Sequence, residues 1–170
     1  MLDTWFVNTG TRMNPNLQFS AITPGANNGS SGGIILTSFR WNSQLTDCAA
    51  LLEGSAAWTE TLDTGFRAWM AAYLDWLLTS PHGQGEAHAT NNHGTWLAVN
   101  RMAMALYLRN QTLADMLAAQ LETASPSALS RQILPSGQMP HETARADSVN
   151  YCTMNMRALV TLAQVRLYSF

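Results

Sequence analysis

The stretch Asn91-Asn92-His93-Gly94-Thr95-Trp96 places two amides, an imidazole and a glycine where a helical pattern begins. Further on come Pro140-His141-Glu142-Thr143-Ala144-Arg145 and then Tyr151. Amide, imidazole, guanidinium and phenol together suit proton abstraction next to a carboxylate. A guanidinium grips a carboxylate through two parallel hydrogen bonds. Once that charge is neutralised, the hydrogen on the adjacent carbon becomes removable, because the developing enolate-like anion is stabilised. A phenol beside a cation ionises more readily than one in water. Tyr151 could therefore take the proton and, once protonated, pass one to a departing oxygen. The reaction that fits is β-elimination on a uronic acid.

These residues need helices to position them. His93 falls in the first turn of a helix predicted over 92–109, with Trp96, Val99, Ala103 and Leu106 inward. Tyr151 falls in the first turn of a helix predicted over 148–168, whose inward row is Cys152, Met156, Leu159, Ala163 and Leu167. Tyr151 then lies beside that row rather than on it. If alternate helices run parallel, both N-termini open on one rim, where partial positive charge and free amides favour an anion. Arg145 adds a formal charge there.

The remaining pattern is also helical. Thr46 can cap a short helix that ends at Glu53 before Gly54. A longer one is predicted over 61–78, with Leu62, Phe66, Trp69, Met70, Tyr73, Leu74 and Leu77 on one face. Ser80-Pro81-His82-Gly83 ends it. Another covers 112–123, with Leu113, Met116, Leu117 and Leu121 inward and Ser125-Pro126 as its stop; residues 128–133 add one turn. Residues 8–33 read as a long loop, most flexible from 27 to 33. No strand pattern occurs, so the expected fold is all-α, and short connections make sequential helices antiparallel neighbours. A bundle, a solenoid and a toroid all satisfy this pattern, although no fixed period marks a regular repeat array.

Composition excludes several classes. The 170 residues suffice for one domain, and 46% are hydrophobic, which argues for a packed core. A net charge of −2 gives no electrostatic case for nucleic acid or an anionic membrane. All nine basic residues are arginine, which removes lysine Schiff-base chemistry and a phosphate-loop lysine. Cys48 and Cys152 lie far apart in sequence; they are expected to be buried free thiols, with a disulfide as the alternative. No apolar run spans a bilayer, and Met1-Leu2-Asp3-Thr4-Trp5 has neither a basic nor an apolar signal-peptide segment. The sequons Asn28-Gly29-Ser30 and Asn110-Gln111-Thr112 are short enough to arise by chance.

Each candidate has a plainer reading. A lone histidine at a helix start is usually structural, but His93 comes with Arg145 and Tyr151 downstream. Arg145 can also pair with Glu142 at helical spacing. His82, Glu86 and His88 match no zinc spacing, so no metal site is expected. Gly83 and Gly85 lack the strand and third glycine of a dinucleotide fingerprint. Trp58, Trp69 and Trp76 could stack on sugar rings, with Trp69 in the apolar row. Trp96 could equally pack behind His93.

The order Thr11-Arg12-Met13-Asn14-Pro15-Asn16-Leu17, Trp76-Leu77 to Ser80-Pro81-His82-Gly83, Asn91 to Trp96, Gln132-Ile133, Gly137 to Arg145, and Tyr151 resembles the alginate lyase domain family of polysaccharide lyases. The resemblance covers nearly the whole chain. It implies an (α/α) toroid and a metal-independent eliminase without a cofactor, acting on an acidic polysaccharide of alginate, mannuronan or glucuronan type. It implies that Asn92 and Arg145 hold the carboxylate. His93 would neutralise charge or act as a base on one epimer, and Tyr151 would be base and acid. Asn91, Trp96, His141 and Glu142 are the neighbouring candidates for substrate binding. Two positions depart from the family pattern: Asp147 stands near the place of a second arginine, and Asn150 stands where a histidine is common. Family domains are also longer, and this chain begins where their middle would be. An incomplete barrel is therefore expected, with exposed apolar helix faces that call for a missing N-terminal half or self-association. The alternative function is an inactive helical remnant that binds glycan or a partner subunit. The family is mostly periplasmic or secreted.

Overall fold

The computed structural model describes residues 1–25, 41–123 and 128–167. The expected flexible tract at 27–33 with its sequon, the Ser125-Pro126 stop and Tyr168 lie outside these residues. Among the described residues every regular element is helical. They are α1 (Trp41–Leu52), α2 (Glu60–Thr79), α3 (Pro81–Ala87), α4 (Asn92–Tyr107), α5 (Gln111–Thr123), α6 (Leu129–Gln132), α7 (Pro140–Thr143) and α8 (Ser148–Leu167). A π-turn, Asp3–Val7, precedes them.

Helix α4 is the hub, packing against α1, α2, α3, α5 and α8. It was expected to bury one stripe, yet Trp96, Leu97, Val99, Met102, Met104 and Ala105 are all buried, which takes in most of its circumference. A helix apolar on every side belongs in a core. Helix α2 carries the predicted row, with Phe66, Met70, Tyr73, Leu74 and Leu77 buried. Each such side chain contributes about 1.5–3 kcal/mol through burial. The N-terminal turn closes this side, with Phe6 edge-on to Phe66 at 5.1 Å and to Trp69 at 4.8 Å. Trp69 also donates its indole N–H to the Met13 carbonyl at 2.8 Å.

Four local expectations are corrected. Helix α1 is already formed at Trp41, the first described residue of this stretch, and Thr46 is not its cap: the Thr46 hydroxyl donates to the Ser43 carbonyl at 2.8 Å, within the helix. Gly54 does end the turn beyond α1, in the left-handed region at φ 84°. On α5 the buried row is Ala114, Leu117, Ala118 and Leu121, while Met116 is exposed. On α8 the buried row is Asn155, Ala158 and Leu162, one position before the expected one. Met156 and Leu167 therefore face outward, and Tyr151 heads the buried row instead of lying beside it. Finally, Cys48 is exposed and Cys152 half-buried, both as free thiols.

The break at Ser80 starts a helix as well as ending one. Ser80 caps α3 by accepting from the Gly83 N–H at 3.0 Å, and Pro81 takes the first helical position. Buried Arg101 of α4 locks the junction by donating to the Leu77 and Gly83 carbonyls. Burial lowers its guanidinium pKa to about 10, which still leaves it charged at neutral pH. At Gly83 a Cβ would lie 2.0 Å from the Leu77 carbonyl oxygen. Gly83→Ala is therefore expected to cost about 2–3 kcal/mol, a fall in Tm of about 5–10 °C in a thermal melt. An unchanged Tm would contradict this close approach.

Candidate active site

Asn91 caps α4: its Oδ1 accepts from the His93 N–H at 3.1 Å, and its carbonyl accepts from the Gly94 N–H at 3.0 Å. The Asn92 N–H donates to Glu142 Oε1 at 2.5 Å, and Asn92 Nδ2 donates to Glu142 Oε1 at 2.9 Å and Oε2 at 3.1 Å. Asn92 and Glu142 are 2% and 1% exposed. The anion that the α4 N-terminus holds is thus the protein's own carboxylate, delivered by α7. Asn92 is engaged by Glu142, while Asn91 uses its Oδ1 in the cap. Glu142 itself is enclosed between α7 and the start of α4.

The groups that do face outward are partly exposed. Arg145 lies with its guanidinium carbon 3.3 Å from the centroid of the Tyr151 ring, and its Nη1 is 3.9 Å from Glu142 Oε2. Stacking on the ring and pairing with Glu142 therefore coexist, and both fix the arginine. Its ion pair is with Glu142 and not with Asp147, which is exposed. Asn150 is exposed as well. His93 keeps 22% of its side chain exposed, and its Nδ1 lies 3.0 and 3.2 Å from the Glu86 carboxylate oxygens. His141 is exposed on α7. Trp96 is 5% exposed within the core, so it packs behind His93 instead of offering a face to a sugar. Contacts thus run from Asn92 through Glu142 and Arg145 to Tyr151, and His93 follows Asn92 along α4.

A buried polar layer sets the spacing beneath. Gln132 Oε1 accepts from the Thr95 hydroxyl at 2.8 Å and from Asn155 Nδ2 at 3.1 Å. Thr95 sits one turn after Asn92 on α4, and Asn155 one turn after Tyr151 on α8. One amide therefore ties together the N-terminal two turns of the two helices that carry the site. At the far ends, Ala103 and Tyr107 of α4 and Thr161 and Val165 of α8 line one cavity of about 370 Å³. The two helices hence run parallel, as the common rim required.

Sequence reading missed Glu86, Gln132, Thr95 and Asn155 as partners. The available signal was a polar residue inside a buried row, since such a residue needs a partner. Other candidates are spoken for: His88 Nδ1 lies 2.7 Å from the Gln84 carbonyl, and Trp58 donates to Asp63 at 2.9 Å. Among the described residues no cluster of His, Cys, Asp or Glu could hold a metal ion, and no helix is long and apolar enough to cross a membrane.

The family model described as alginate lyase matches residues 1–166. The chain belongs to the alginate lyase family. A crystal structure of an alginate lyase from Bacteroides ovatus superposes with a TM-score of 0.89 at 31% sequence identity. That match covers 96% of this chain and 42% of the relative, so the chain spans less than half of that alginate lyase. The likeness agrees with the all-α, toroid-type arrangement expected from the sequence. Among curated proteins none matches.

Proposed function

We propose that this alginate lyase family chain carries the reacting side of a polysaccharide lyase that cleaves a uronate-containing glycan by β-elimination. The observation that carries the proposal is the Arg145 guanidinium over the Tyr151 ring at 3.3 Å, with Arg145 tied through Glu142 to the α4 start that bears the partly exposed His93. Arg145 neutralises the sugar carboxylate. The Tyr151 oxygen acts as the base and takes the C5 proton. The C–H electron pair forms the C4–C5 double bond, the C4–O bond breaks, and the departing oxygen recovers the proton from Tyr151. His93 adds a second base or a neutralising charge. Asn92, with its donors on Glu142, serves here mainly to hold that carboxylate and the α4 start in place. Alginate, mannuronan and glucuronan are the substrate classes, and polymers of this size place the action in the periplasm or outside the cell. No cofactor is required by this chemistry.

The test is incubation of the folded protein with mannuronan, guluronan and glucuronan, reading the ultraviolet absorbance of unsaturated uronate ends. The absorbance is expected to rise on at least one polymer. Its absence on all of them from folded protein would sink the enzyme reading. A second reading, a helical module that binds glycan or a partner, is favoured by the outer face of α8. There Val149, Met156, Val160 and Leu167 are 77%, 48%, 53% and 71% exposed along one row. Such a row suits a second copy or another helical segment.

A further inference from the structure

We propose that Glu86 is a positioning residue that fixes the His93 imidazole in one tautomer, with the proton on Nδ1 and the lone pair of Nε2 turned to the open side of the site. The carboxylate is nine-tenths buried, at 9% exposure, and a buried carboxylate is costly unless hydrogen-bonded. Both of its oxygens lie within hydrogen-bond reach of His93 Nδ1, at 3.0 and 3.2 Å. A carboxylate accepts only, so at neutral imidazole the proton of this contact belongs to Nδ1. Nε2 has no protein partner among the described residues, and the ring retains 22% exposure. The geometry is built by the backbone. Ser80 and Pro81 start α3, Arg101 pins its first turn, and Asn91 caps α4. Residues 86 and 93 thus meet across the short connection 88–91.

The consequence is directional. His93 can accept a proton only at Nε2, and the imidazolium that forms is stabilised by Glu86 at the other nitrogen. Where His93 serves as the base in place of Tyr151, the carbon-bound proton moves to Nε2, the C–H pair becomes the new double bond, and the glycosidic oxygen leaves with the proton of a neutral Tyr151. This use in catalysis rests on the lyase reading above, whereas the tautomer does not. Glu86 touches no reacting atom and acts through His93 alone.

The experiment is long-range nitrogen–proton NMR of the full chain labelled with ¹⁵N-histidine, at a pH where imidazoles are neutral. His93 is assigned by loss of its signals in His93→Gln. Wild-type His93 is expected to show a protonated Nδ1 and a pyridine-like Nε2, the reverse of the usual majority in water. In Glu86→Ala, and in the volume-preserving Glu86→Leu, the Nδ1–H form is expected to drop from the dominant tautomer to the minor one, as in an imidazole without an orienting partner. A wild-type His93 protonated on Nε2, or a folded variant with the Nδ1–H form unchanged, would overturn the proposal. The wild-type spectrum decides the tautomer even where a variant fails to fold. A correct tautomer in a chain that cleaves no uronan would leave Glu86 positioning His93 while removing the lyase reading.

Discussion

Tyr151→Phe is expected to lower the formation of unsaturated uronate ends by about 10²–10⁴-fold, the range lost with a general acid–base group. The substitution is selective. Phenylalanine keeps the ring on which Arg145 stacks at 3.3 Å and the place at the head of the buried α8 row, so helix packing should persist. Only the hydroxyl goes. Circular dichroism and thermal melting should therefore match the wild type while turnover collapses on every polymer the wild type cleaves. Turnover at the wild-type rate would remove Tyr151 from the base role and leave His93 as the proton acceptor.

Glu142→Ala is expected to cost about 3 kcal/mol in urea unfolding, because buried donors left without an acceptor cost about 1–3 kcal/mol each. The Asn92 N–H and side-chain amide both end on this carboxylate, in a place 1% exposed. The carboxylate also sits on the positive end of α4, which favours a negative group there. Glu142→Gln should recover part of the loss, since an amide oxygen still accepts from the Asn92 N–H. Turnover should fall in both variants as the start of α4 loosens. A loss below about 1 kcal/mol in Glu142→Ala would mean that Asn92 finds another acceptor and that the α4 start does not depend on α7.

Much of this was legible in the sequence. The apolar row of α2 has the right period and the right residues, and α4 begins at Asn92 as its amide cap implies. The misreadings share a cause. On α8 the apolar residues Cys152, Met156 and Leu159 drew the inward face one position too far. The true row contains Asn155, a buried polar residue that makes sense only once Gln132 is beside it. The α4 N-terminus reads as an open anion site until Glu142, fifty residues away, fills it. No local spacing announces a partner at that separation. Ser80-Pro81 carries a stop signal and a start signal at once, and taking only the first hid α3 and with it Glu86. Periodicity thus located the longer helices, while the pairs that tune the site arise only where helices meet.

The most direct measurement is the mass of the chain ends released from a uronan by the folded protein. Elimination divides the polymer without adding water, so each cleavage should leave one end with an unsaturated uronate, lighter by one water than a hydrolytic product. That outcome, lost in Tyr151→Phe, is the expected one. Saturated ends that have gained water, or no released ends from folded wild-type protein on any of the uronans, would contradict the assignment of Arg145 and Tyr151 to an elimination site.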